Sequence, residues 1–206
     1  MVNENRVRIE PCYFTYRNYY EKVSTNVLKI DVPFTIPTSW YWSKIGNVCL
    51  IINGFTPLRS NQDYWNSKDC CWMTVDDINN QGKYLYNTAQ HISSIAIKNS
   101  SRIVPKDSTF ICCTSATIGK VAINKVPMVS NQQFNGLVIK DNKNISNEYI
   151  YLYCSTLKNK LLEIAGITTF PFVSTTKLAE ILIPIPPYQS QIKIVKKVES
   201  IFELIS

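Results

Sequence analysis

The sequence predicts an α+β fold built around one main domain. Three observations carry that expectation. Short apolar runs bounded by turn residues, the clearest closed by Asn53-Gly54, read as buried strands. One longer segment, 147–165, repeats its apolar residues at helical steps. The two kinds of element do not alternate regularly, which disfavours a doubly wound parallel sheet.

The elements follow in order. Residues 1–36 are polar and tyrosine-rich, with Tyr13, Tyr16, Tyr19 and Tyr20 close together, and read as a lead-in docked on the main body. Pro33 and Pro37 flank the way into Trp40-Tyr41-Trp42, where the domain proper, 37–186, begins. Residues 48–52 (VCLII) form an apolar run ended by Asn53-Gly54, a buried strand. Thr74-Val75-Asp76-Asp77 has the T-x-x-D form that starts a helix. Residues 105–108 (PKDS) read as a turn, and 109–113, 121–123 and 134–140 as strands. In the helix over 147–165, Ser146 is placed to cap and Glu148 suits the positive end of the dipole. Ile150, Tyr153, Leu157, Leu161 and Ile164 make its apolar face, and Gly166 supplies the stop. Ser174 caps one more turn before a last strand at 181–183. After Pro186-Pro187 a final helix, 187–206, starts and is still running at the last residue.

The 206 residues are 45% hydrophobic, enough for a sizeable core. Lys plus Arg is 22 against 15 Asp plus Glu, a net charge of +7. That balance favours an anionic partner, nucleic acid first, although the same charge serves plain solubility. The 7 cysteines are an odd count, with adjacent pairs at Cys70-Cys71 and Cys112-Cys113 and no C-x-x-C. This argues against a zinc ribbon or a disulfide framework and for reduced, buried thiols in the cytoplasm. The first residues, MVNENRVRIEPC, lack a signal peptide's apolar stretch. No apolar run approaches the ~20 residues of a membrane span. Asn99-Ser100-Ser101 matches a glycosylation sequon, without consequence in a cytoplasmic chain.

A catalytic constellation is hard to draw. His91 is the one histidine, so a His-rich metal site is excluded, and nothing local supports a Cys–His dyad. The 6 glycines are scattered and form neither G-x-G-x-x-G nor a phosphate loop. Pro186-Pro187-Tyr188 is similar to the Asn/Asp-Pro-Pro-Tyr loop of DNA amino-methyltransferases. The first position there must accept a hydrogen bond from the base, and Ile185 has no side-chain acceptor. The prolines read as a strand stop instead. Asp76-Asp77 are helix neighbours pointing apart, better suited to capping than to sharing a metal.

What stands out is a set of polar turns: 54–62 (GFTPLRSNQ), 114–120 (TSATIGK) and 130–135 (SNQQFN). Asn and Gln pair with adenine, Arg and Lys with guanine, and Ser, Thr and backbone N–H groups hold phosphates.

In this order the turns resemble the target-recognition domain of type I restriction–modification specificity subunits. Residues 32–42 (VPFTIPTSWYW) are similar to the family's "PFxIPxxWxW" opening. Gly54-Phe55-Thr56-Pro57, then Tyr64-Trp65, then Trp72 to Ile78, resemble its "GxTP … YW … W … D" run. Residues 115–120 match "SxxxIGK", and Asn131-Gln132 match "NQ". Gly166-Ile167-Thr168-Thr169 with Ile185-Pro186-Pro187 resemble "GxT … PLPP", and Gln191 with Ile194-Val195 the family's "PPxxEQxxIV". Residues 18–22 (NYYEK) are similar to a "YYEK" lead-in. Ser190 replaces the acidic residue before the family glutamine. The resemblance covers 33 to the C-terminus. It implies a chain about half the family's usual length, either a half-subunit or a cut-out domain.

The resemblance implies a non-catalytic reader of one half of a split double-stranded DNA target. Thr56, Arg59, Ser60, Ser115, Lys120, Asn131, Gln132, Gln133 and Thr169 are the expected DNA-facing residues. Trp40, Trp42, Trp65 and Trp72 are expected core or loop anchors. It also implies partners: modification subunits that carry S-adenosylmethionine, and a restriction subunit that uses ATP and magnesium. No cofactor is expected in this chain. From Val195, apolar residues fall at Val198, Phe202 and Ile205, steps of three, four and three that suit a coiled-coil seam. The seam awaits a modification subunit, a second recognition domain or a symmetry mate. The competing reading is a protein-interaction module whose basic charge is incidental, which salt dependence separates. A free-standing methyltransferase would require S-adenosylmethionine binding.

Overall fold

The central strands carry apolar side chains on both faces because a core lies on each side of them. The computed structural model describes residues 19–23 and 26–205; Tyr13 and Tyr16 of the expected lead-in lie outside them. β1 (Tyr19–Val23) and β2 (Asn26–Ile30) form an antiparallel pair. β3 (Tyr41–Lys44) leads through one helical turn, α1 (Ile45–Val48), into β4 (Cys49–Asn53). β4 edges a five-stranded sheet. Next to it lie β11 (Phe134–Ile139), β8 (Thr109–Cys112), β9 (Val121–Asn124) and β6 (Tyr84–Leu85), the last parallel to its neighbour. A smaller sheet runs β10 (Met128–Ser130), β5 (Cys70–Met73), β7 (Gln90–Ile92).

Side-chain alternation along the central strands separates two cores. Ile111, Cys113, Leu137 and Cys49 point to one face, where they join Tyr149, Ile150, Cys154, Leu161 and Leu178. Those residues come from α3 (Asn147–Ser155), α4 (Lys158–Ala165) and α5 (Thr175–Ala179). Phe110, Cys112, Phe134 and Ile52 point to the other face and meet Met73 and Met128 of the small sheet. The small sheet's outer face carries a third cluster of Trp72, Ile92 and Val129, with Phe55, Tyr64 and Trp65 against it. The layers are therefore helices, large sheet, small sheet, and a Trp-rich cap.

Local signals acted as the sequence suggested, with corrections. Thr74 and Asp77 close a reciprocal box at the start of α2 (Val75–Gln81): the Thr74 N–H donates to Asp77 Oδ2 at 2.8 Å. The segment 147–165 is two helices, not one. Ser155 and Thr156 turn their hydroxyls back onto the carbonyls of Leu152 and Tyr153 at 2.6 and 2.7 Å, taking acceptors a continuing helix would use. Ser146 stands at the N-cap position but donates to Glu148 at 3.0 Å and makes no cap bond to the backbone. Gly166 follows α4 at φ +78°, as the stop required. His91 lies half-buried on strand β7.

β12 (Leu182–Ile185) pairs antiparallel with β3, joining the two ends of the domain. Ile185 is buried, so Pro186-Pro187 ends a strand, and α6 (Tyr188–Ile205) follows. Gln191, fully buried, fixes α6 to the domain. Its Nε2 donates to Asn144 and Pro186 carbonyls at 2.9 and 2.8 Å, and its Oε1 accepts from Ser146 N at 2.9 Å. Lys83 and Glu199 pair at 2.5 Å further along. Val195, expected on the partner seam, is buried in the domain's own core. Val198 is half-buried, and Phe202 and Ile205 are exposed, so only the distal seam is free. No helix among the described residues is long and apolar enough to cross a membrane.

Candidate nucleic-acid interface

Backbone hydrogen bonds stitch together the turns that stood out in the sequence. Gly54 N donates to Phe134 O at 3.0 Å and Phe55 N to Ser130 O at 2.7 Å, laying loop 54–60 on the 130–133 turn. Only glycine permits this approach: a Cβ on Gly54 would stand 2.0 Å from Asn131 O and 2.5 Å from Ser130 O. The 130–133 turn is pinned below by Asn131 N donating to Met73 O at 3.0 Å. Above, Cys113 N donates to Gln133 O at 2.9 Å, and Val173 N donates to Cys113 O at 2.8 Å. Thr114 and Phe172 form a further bridge. One strand end, at Cys113, thus gathers the 114–120 and 166–173 loops beside the other two.

The expected residues divide by what they touch. Thr56 donates to Gln132 Oε1, and both are exposed. Asn131 shapes its own turn: its Oδ1 accepts from Gln133 N at 3.0 Å and its Nδ2 donates to Gln133 Oε1 at 3.1 Å. Arg59 is exposed yet fixed. Its guanidinium lies 3.7 Å from the Trp65 ring centroid and 4.6 Å from that of Trp72, and Nη1 donates to Gln90 at 2.8 Å. The shelf is itself held, because Trp72 Nε1 donates to Phe55 O at 2.8 Å. Ser60 and Thr169 are exposed. Ser115 opens a short 3-10 turn, Ser115–Thr117. Lys120 is tied to Asn79 on α2 rather than to the Thr56–Gln132 group.

The tryptophans are anchors: Trp42 and Trp72 are buried, Trp40 and Trp65 half-buried. Two residues at this edge were missed from the sequence. Gln90 reaches Arg59 only because β7 pairs with β5, a link no local pattern announces. Arg102 donates to Asn53 O at 2.9 Å, beside Gly54; its place in the polar run 99–102 (NSSR) was the available signal. Among the described residues neither arginine is paired with a carboxylate.

Catalytic geometry is poor by comparison. Cys71 Sγ lies 3.6 Å from His91 Nε2, but Asn87 Oδ1 occupies that same nitrogen at 3.0 Å. A working dyad needs its orienting group on the other ring nitrogen. Burial pushes the Cys113 thiol up to about 12, leaving it protonated and inert. Among the described residues no three His, Cys, Asp or Glu side chains converge where a metal could sit.

The family model described as "Type I restriction modification DNA specificity domain" matches residues 37–206. The chain is 35% identical over 164 residues to the MjaIX specificity subunit of Methanocaldococcus jannaschii, covering 77% of this chain and 37% of that protein. It is 31% identical over 147 residues to the EcoprrI specificity subunit of Escherichia coli, covering 70% and 36%. The fold is similar to the crystal structure of the HsdS subunit from Thermoanaerobacter tengcongensis, at TM-score 0.60 and 16% identity, covering 84% of this chain and 40% of that one. A chain from a study of complex assembly and conformational transition in the type I R-M system gives TM-score 0.67 at 18% identity, again over 84% and 40%. The chain spans little more than a third of the relatives it matches.

Proposed function

Because the chain belongs to the type I restriction–modification DNA specificity domain family, we propose that it reads one half of a bipartite double-stranded DNA target and performs no chemistry itself. One observation carries this reading most directly: four loops are joined by backbone bonds into a single surface, and two uncompensated arginines border it. Thr56, Gln132 and Arg59 face the duplex from this surface, with Ser60, Ser115, Asn131, Gln133 and Thr169 around them. Asn131 acts by shaping its turn. Lys120, already tied to Asn79, contributes charge more than base contact. Methylation, with its S-adenosylmethionine, belongs to modification subunits, and ATP and magnesium to a restriction subunit. The distal half of α6 is where those partners, or a second recognition domain, join the chain.

A labelled duplex titrated at two salt concentrations tests this. Counterion release makes binding fall steeply with salt, from a non-specific affinity on the order of 10⁻⁴–10⁻⁶ M at physiological salt. Binding indifferent to salt sinks the reading and favours the protein-interaction alternative. Labelled S-adenosylmethionine with duplex gives no methyl transfer by the pure chain.

A further inference from the structure

The loop after α4 presents apolar side chains that the fold does not use. Ile167 is fully exposed, and Phe170 and Phe172 are 78% and 58% exposed. Phe170 belongs to none of the buried clusters. The tip is nevertheless held in place. Thr168 Oγ1 accepts from Phe170 N at 3.4 Å, Phe172 bridges Thr114, and Val173 N is bonded to Cys113 O. Pro171 restricts Phe170 to extended backbone. This positions a Phe-Pro tip beside the strand end that also holds Gln133.

The surroundings indicate which partner suits the tip. The tip, 166–173, carries no charge, and the flanking acids Glu163 and Glu180 are paired with Lys160 and Lys44. Thr168 and Thr169 on the tip itself, continuous through Cys113 with the turn that carries Gln133, offer hydroxyls for a nucleic-acid backbone beside an inserted ring.

Resting on the DNA-recognition reading, we propose that Phe170 is an apolar wedge that inserts between two base pairs of the bound duplex, unstacking and kinking it. Such a wedge acts best at flexible pyrimidine–purine steps. It thereby adds selectivity through DNA deformability at a position where no base edge is read.

The test starts from duplexes that the chain itself enriches from a random pool, remade with 2-aminopurine at successive positions. The wild-type chain brightens one position several-fold as that base unstacks. Phe170→Ala loses the rise but keeps salt-dependent binding and thermal stability, and Phe170→Leu, still a wedge, keeps most of it. An unstacking signal unchanged in Phe170→Ala overturns the wedge, as does wild-type binding with no position brightened. So does a Phe170→Ala chain that unstacks DNA normally but no longer co-purifies with modification subunits, which marks the tip as a protein contact. If no sequence is enriched at all, the DNA-recognition reading falls, and the wedge with it.

Discussion

At the scale of single residues, the site depends on close backbone approach more than on any one polar group. Gly54→Ala forces a Cβ into the Asn131 and Ser130 carbonyls. Overpacking of this kind costs about 1–3 kcal/mol. Thermal melts should show that loss, accompanied by weaker duplex binding as the two loops separate. Arg59→Ala removes one uncompensated charge and should lower the log–log salt slope by about 1. Arg59→Lys should keep the slope but bind more weakly, since Lys has no planar face for the tryptophan shelf. Thr56 and Gln132 were legible because both lie in quotable short patterns. Gln90 was not, because its partner is 31 residues away and meets it only through the small sheet.

At the scale of elements, α6 has two different halves. Its first turns are part of the domain through Gln191 and Val195, and its last expose Ile201, Phe202, Leu204 and Ile205. Gln191→Leu strands the buried Ser146 N–H and Pro186 carbonyl, at about 1–3 kcal/mol for each buried group left unpaired. A clear drop in melting temperature is expected. Phe202→Asp, at an exposed position, should stay within about 0.5 kcal/mol of the parent yet lose co-purification with modification subunits. A melt destabilised by Phe202→Asp would place the distal half in the core as well. The steps of three and four residues marked the seam but gave no hint of where domain ends and free helix begins. That boundary follows contacts made across the chain, the burial of Val195 and the pairing of Glu199 with Lys83, 116 positions away. Likewise the apolar period over 147–165 was visible, but the break was not, because it comes from two hydroxyls rather than from Gly or Pro.

At the scale of the whole molecule, the layering explains which strands were readable. β4 and β8 send apolar side chains to both cores and read as near-continuous apolar runs, whereas β11 interrupts its run with Asn135 and Gly136. β5, β7 and β10 are only three or four residues long, too short for a strand pattern to register. The buried acids set the pH response. Burial pushes the Cys49 thiol up to about 12, against a smaller opposing pull from Lys140, and likewise raises Cys113 and the Tyr153 phenol to about 12. A folded pKa above the unfolded one means stability fully present below about pH 9, then lost as pH rises toward 12. Denaturant midpoints measured from pH 7 to 11 should fall on the alkaline side, and Cys49→Ala should flatten the slope.

The central claim is that the stitched surface reads sequence and not merely charge. Selection of bound duplexes from a fully random pool, with the wild-type chain and the Thr56→Ala/Gln132→Ala pair in parallel, addresses it most directly. The wild type should enrich one short sequence, and the pair should enrich it weakly or shift it while bulk affinity stays similar. An output pool as random as the input, recovered in equal yield by both proteins, would contradict it.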